Sequence, residues 1–260
     1  MKFTFGQYCG AALLTAIVAL ACLQPYFYLQ DIGLQDLNQI LITPNEFHWL
    51  GMDHLGRDMF ARLASAIRLS FGLALLCVSC ACILGTTCGI LAGLFPHWDR
   101  LFSFICDLIM ALPGLLLILL FAALSPGTFW TLYLGISLVL WGEFFHVSRA
   151  VTSTLASSAE LESSRLMGMG WGYCIKRHLL PRLAPMVFTL TAFSIANAIL
   201  ALATLGFISV GLRPPTAELG LMMTELFPYY HQAPLIFLQP VLCVFALVLG
   251  LQLLSGKFSQ

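Results

Sequence analysis

The sequence predicts an all-α integral membrane protein with six transmembrane helices and both termini in the cytoplasm. Composition is the first reason: the 260 residues are 60% apolar and only 9% charged, against roughly 25% charged in soluble domains. The second is a series of charge-free runs, Phe3–Gln30, Leu69–Trp98, Leu108–Gly142, Leu183–Leu212 and Leu226–Gly256, each meeting the ~20 apolar residues that cross a ~30 Å hydrocarbon core. The third is the placement of Lys and Arg. With the N-terminus inside, Lys2, Arg100, Arg149, Arg165, Lys176, Arg177, Arg182 and Lys257 fall on the inner side, and Arg57, Arg62, Arg68 and Arg213 on the outer. This inner excess fixes the orientation.

The first helix, near 8–29, follows a single clear positive charge, Lys2. A cleaved signal peptide is the competing reading, but the apolar run exceeds the usual ~7–15 residues. An outer segment, 30–67, comes next. Its first part, through Thr43-Pro44-Asn45, reads as an extended loop. In its second part Phe60, Leu63, Ala64 and Ile67 recur at helical spacing, with Asp58, Arg62 and Arg68 off that stripe. This pattern predicts a helix lying on the membrane; the plainer alternative is the frayed start of the second helix. The second helix is placed at 69–95, and the core helices occupy 69–254.

A short inner link, Pro96 to Arg100, leads to the third helix at 101–123. The third charge-free run is long enough for more than one span, and Pro126-Gly127 divides it, which places the fourth helix at 129–148. Short links make helices two to four antiparallel neighbours. The fifth and sixth helices are placed at 183–206 and 234–254, separated by an outer segment, 207–233. The chain thus forms one membrane domain, 1–260, with no soluble domain.

The inner loop, 149–182, is the longest polar segment on the side of the termini. Ser157 and Glu160 fit a capping box, and Glu160 and Glu162 suit the first turns of a helix. Gly168, Gly170 and Gly172 break that helix, and Pro181 ends a second one or kinks its junction with helix five. A short helix of this kind is marginal alone in water. Packing on the bundle, or insertion into a partner's groove, must hold it.

Polar residues at membrane depth are few. Asp107 lies about one turn ahead of Leu112-Pro113-Gly114, where Pro113 predicts a kink. Such a charge costs roughly 2.5–3.5 kcal/mol to insert, so Asp107 is expected to make a structural or gating contact inside the bundle. Glu143 is placed close to the headgroups, paired with His146 or Arg149. Asp107, Glu143 and His146 form no recognisable nucleophile–base pair, so an intramembrane enzyme remains only as the alternative reading. The six histidines are scattered, and no metal site is expected. Cys77, Cys80 and Cys82 share one apolar helix and read as small packing residues. Zero net charge gives no basis for nucleic-acid binding.

Three stretches carry a resemblance. Glu162-Ser163-Ser164-Arg165-x-x-Gly168, followed by His178-Leu179-Leu180-Pro181, resembles the EAA loop of bacterial ABC importer permeases, with serines in place of both alanines. The stretch from His48 to Leu63, including Gly51, Asp53, Gly56, Arg57, Asp58 and Arg62, is similar to the outer motif of the dipeptide, oligopeptide and nickel permeases, with Met52 for the usual threonine. Leu205 to Gly220, with Pro214-Pro215 and Glu218, resembles the segment that precedes helix six in that family. The matches span 48–220, and the short N-terminus looks like the C-type subunit of the pair. Two departures are His146, where the family usually has arginine, and the ending Ser255 to Gln260.

The resemblance implies a type I importer permease fold. It implies that the loop around Glu162, Gly168, Gly170 and Pro181 docks on an ATP-binding subunit. The chain itself lacks a phosphate-binding G-x-x-x-x-G-K-[ST] loop, so ATP and Mg are expected on partner subunits, with no cofactor here. The implied partners are a second homologous permease, two ATP-binding subunits, an extracytoplasmic solute-binding protein and the lipid bilayer. The implied cargo is nickel, a metal chelate, or a di- or oligopeptide.

Overall fold

A computed structural model describes residues 5–256, and every regular element among them is helical. Lys2 and Lys257, two of the inner cations, lie outside the described residues. Helix α1 (Phe5–Phe27) packs on α10 (Pro234–Ser255) and on α2 (Met59–Leu94). Helix α5 (Phe129–Ala156) runs along α2 in the most extensive helix pair. Helix α8 (Leu180–Phe207) lies against α2, α5 and α10. Helices α3 (Pro96–Met110) and α4 (Gly114–Leu124) sit outside this group, against α2 and α5.

The α2–α5 pair shows why small residues matter here. Gly85, Gly89 and Gly93 repeat every four residues on one face of α2. A Cβ on each would stand 2.6, 2.7 and 2.5 Å from the Cβ of Phe144, Ser148 and Thr152 on α5. Lipid tails are as apolar as the side chains, so helices in a bilayer gain little from hiding apolar surface and much from close packing. The glycine seam supplies that approach.

Five helical segments are long and apolar enough to cross a membrane: α1, α2, α5, Trp171–Phe207 and α10. The α3–α4 pair makes a sixth when counted as one span bent by 81°. The expected third helix is thus broken where Pro113 predicts a kink.

Three expectations need correction. The stripe at Phe60, Leu63, Ala64 and Ile67 does not lie on the membrane but forms the first turns of α2. Asp58 caps that helix by accepting the Ala61 amide at 2.8 Å. Met59, Ala61 and Arg62 are buried along with the stripe, so the segment is enclosed on all sides. The fourth predicted helix stops at 148, whereas α5 continues to Ala156. Pro181 does not end a helix: it occupies the first turn of α8, which follows directly from a π turn at Ile175–Leu179. Proline lacks only an N–H that a first turn leaves unpaired.

Candidate functional site

At the end where α1 begins and α10 ends, a knob projects between α5 and α8. It consists of α6 (Ala159–Leu166), a turn through Gly168 and Gly170, and α7 (Trp171–Cys174), which runs through the π turn into α8. The expected capping box does not form. Ser157 Oγ donates to the Thr154 carbonyl at 3.0 Å and Ser158 Oγ to the Leu155 carbonyl at 2.7 Å. Because α5 runs on to Ala156, the serines satisfy its last carbonyls instead of the first amides of α6. Glu160 instead accepts from Arg182 at 2.6 Å.

The knob is held from beneath. Leu161 is buried with Leu155, Cys174 and Leu179. The hydroxyl of buried Ser164 lies 3.0 Å from His178 Nε2, which ties α6 to the π turn. The Arg165 guanidinium sits 4.2 Å above the Trp171 ring, a cation–π contact, and Trp171 meets Phe95 edge-on at the α2–α3 junction. Gly168 takes a φ of +81°, where side chains with a Cβ are strained. Its amide donates to Arg165 and that of Met169 to Ser164, closing α6. Glu162, Ser163, Leu166, Met167, Met169 and Gly170 face outward, with Leu166 83% exposed and Met167 69%. The knob is a rigid protrusion with an apolar apex.

The opposite end carries the outer motif, and the structure draws it together. Asp53 Oδ2 accepts from Arg57 Nε at 2.6 Å and from Arg62 Nη1. Both arginines also donate to Glu225 of α9 (Leu219–Leu226), at 3.0 and 2.8 Å. Asp58 accepts from the Tyr28 hydroxyl at 2.7 Å and meets His48 Nδ1 at 2.8 Å. Asp53, Arg57, Asp58 and Arg62 are all buried. Gly51 and Gly56 take positive φ, and a Cβ on either would collide with the Ile42 or Asp36 carbonyl.

Burial works to raise the Asp53 carboxyl, but the Arg57 amide and the Arg62 and Arg57 guanidiniums outweigh it and hold it below the usual carboxylate range. Burial pushes His54 down. Its ring stacks on Tyr229, and its Nδ1 is buried without a hydrogen-bond partner among the described residues. Asp53, His54 and Glu225 have ligand atoms within 4.8 Å of one another. Two fixed guanidiniums already balance the two carboxylates, so the set works as a clamp between loop and helices.

Glu218 builds the neighbouring corner. Buried, it accepts the Gly220 and Leu221 amides at 3.0 and 2.8 Å and so starts α9. Sequence reasoning missed Glu225, Tyr28 and His48 as partners.

The interior candidates separate. Asp107 is exposed on α3, whose only buried residue is Cys106, and its side chain makes no hydrogen bond or ion pair among the described residues. The expected contact inside the bundle is absent because the outer face of α3 carries it. Pro113 precedes α4 at the bend. Glu143 pairs with neither His146 nor Arg149. Arg149 is taken by Asp99, with Nη2 to Oδ2 at 2.9 Å, and His146 Nε2 lies 3.4 Å from Cys106 Sγ. Glu143 accepts instead from Ser194 of α8 at 3.5 Å. It lies well inside the helix because α5 runs past the predicted end.

Residues 85–260 match the sequence model of the family described as "binding-protein-dependent transport system inner membrane component". The chain is 31% identical over 221 residues to the glutathione transport system permease protein GsiD of Pectobacterium atrosepticum, covering 85% of this chain and 73% of that protein. It is 30% identical over 248 residues to the dipeptide transport system permease protein DppC of Alkalihalophilus pseudofirmus, covering 95% and 81%. It is 30% identical over 247 residues to the nickel transport system permease protein NikC of Escherichia coli K12, covering 94% and 89%.

Proposed function

The chain belongs to the family of binding-protein-dependent transport system inner membrane components and is a permease subunit of an ABC importer, and from that premise we propose how its two ends divide the work. The knob at 157–181 is the cytoplasmic coupling element, and it docks in a groove of a separate ATP-binding subunit that holds ATP and Mg. The observation that carries this is the knob itself: an exposed apolar apex, Leu166 and Met167, on a base locked by Ser164–His178 and Arg165–Trp171. An amphipathic helix presented to a groove is a recurrent docking mode. Beyond the turn at Gly168 and Gly170 the chain is helical through Trp171–Phe207, so a push on the knob reaches the far side of the bundle through one helix. Two ATP-binding subunits and a second homologous permease complete the machine, because six helices do not enclose a wide path alone.

At the other end, the buried clamp of Asp53, Arg57, Arg62 and Glu225 holds the outer segment in place as a preformed surface on which a solute-binding protein unloads. The cargo is a di- or oligopeptide, nickel or a metal chelate, in line with the names of the relatives. Metal capture is assigned to the binding protein, and Glu143, beside the bend at Pro113, to the pathway wall.

The test is to reconstitute the importer with Gly168→Pro or Glu162→Lys. Proline cannot adopt the φ of +81° at 168, and lysine reverses the charge on the docking face. The expected result is normal membrane insertion with ATP hydrolysis uncoupled from uptake. Unchanged transport in both variants would sink the assignment.

A further inference from the structure

Between α4, α5 and α8 lies a cleft of about 270 Å³. Its walls are mostly apolar, with Leu115 and Ile118 from α4 and Ile136 and Leu140 from α5. Three polar side chains line it, Glu143, Asn197 and Thr204, and the Thr204 hydroxyl is spent on the Leu200 carbonyl. Glu143 stands six residues before Arg149, about 9 Å along the helix at 1.5 Å per residue. It is therefore too deep to be solvated as a headgroup-level carboxylate would be.

Among the described residues no cation pairs with that carboxylate. The nearest basic side chains along α5 are engaged, Arg149 with Asp99 and His146 with Cys106. Ser194 donates at 3.5 Å, the far limit of a hydrogen bond. The Asn197 side chain, which lines the same cleft, makes no hydrogen bond among the described residues, so its carboxamide oxygen is available as an acceptor. A carboxylate and a neutral acceptor between apolar walls favour a cation that sheds its water, because low local dielectric strengthens the attraction. An isolated carboxylate at this depth is costly, so the arrangement is stabilised when a positive group arrives and strained again when it leaves. That suits passage better than storage.

We propose that Glu143 and Asn197 form a contact point on the pathway wall for a positively charged group of the cargo, a primary ammonium or a divalent metal. This rests on the cargo reading above, a peptide or nickel.

The experiment uses the complete importer with its binding protein in proteoliposomes, supplied with alanyl-alanine in one arm and Ni²⁺ in the other. Whichever the wild type carries identifies the cation. Glu143→Gln is expected to lower its uptake by roughly tenfold, the scale of one hydrogen bond to a charged group. Glu143→Asp should keep most of the rate, and Asn197→Leu should fall between them. The amount of assembled complex and the ATP hydrolysis stimulated by the binding protein should match the wild type. Wild-type uptake by Glu143→Gln overturns the proposal. Loss of the second permease from that variant also overturns it, because the carboxylate then answers a cation on the neighbouring subunit. If the wild type carries neither probe, the cargo reading fails and this inference with it.

Discussion

At the scale of single residues, the outer clamp is where charge and burial meet most sharply. Removing one member of a buried ion pair leaves the other unpaired, at a cost of about 3–5 kcal/mol, so protonating Asp53 should loosen the loop it holds. The sign follows from the shifts. Asp53 is held below its ordinary value of 3.8, so its contribution is complete above that value and is lost as pH falls through the lower folded value. His54 is pushed below 6.5 by burial, so it is neutral in the clamp and its protonation opposes folding as pH drops beneath 6.5. Both act in one direction, with His54 first. Thermal unfolding of the purified complex should therefore be flat above pH 7 and decline on acidification in two stages. His54→Phe, which keeps the stack on Tyr229, should abolish the first stage and leave the second. A first stage unchanged in that variant would show that another group carries it.

At the scale of elements, the apolar runs were legible and the joints were not. Charge-free runs located every long helix, because the bilayer demands about 20 apolar residues whatever the packing. The start of α2 was misread: the helical stripe at Phe60, Leu63, Ala64 and Ile67 looks the same on a membrane surface as in a core. Only the burial of Arg62 between Asp53 and Glu225 decides between them. The capping box was misread for a similar reason, since Ser157 serves whichever helix end is nearer in space. The break at Pro113 was readable because proline acts through its own covalent geometry. The knob's motif residues were legible by resemblance, but Ser164–His178 and Arg165–Trp171 are contacts between residues apart in sequence and left no local trace. The glycine seam went unnoticed, though its period of four is visible along α2. It leads to a direct prediction: Gly89→Leu forces four carbons into the space where Ser148 and the Phe145 carbonyl already lie within 2.7 Å of a Cβ position. Overpacking of this kind costs about 1–3 kcal/mol or more. The variant should lose thermal stability in detergent, whereas Gly72→Leu, with nothing within 4 Å, should not. Equal stability of the two would remove the seam from the account of how α2 and α5 meet.

At the scale of the whole molecule, the structure gathers the basic residues that bear on orientation at two opposite ends. The Gln7 side chain donates to the Leu254 carbonyl at 3.4 Å, so the start of α1 and the end of α10 share one end of the bundle. The knob is at that same end, since it follows the C-terminal turns of α5 and touches the α2–α3 junction through Trp171 and Phe95. Arg100, Arg149, Arg165, Lys176, Arg177 and Arg182 gather there. At the opposite end, Arg57 and Arg62 are neutralised inside the clamp, and Arg68 is turned inward to the Ala21 carbonyl. Arg213 is the remaining outer arginine and is exposed. The positive-inside tendency counts Lys and Arg whether or not they are paired, and six at the knob end against four at the other make a cytoplasmic knob the expected orientation. Single cysteines placed in a cysteine-free background test this. Met167→Cys, at the apex, should react with a membrane-impermeant maleimide in inside-out vesicles and be protected in intact spheroplasts. Phe47→Cys, 77% exposed in the outer segment, should show the reverse. Labelling of both from the same side would contradict the arrangement of the bundle, and an exchanged pattern would overturn the orientation, taking the docking of the knob on a cytoplasmic ATPase with it.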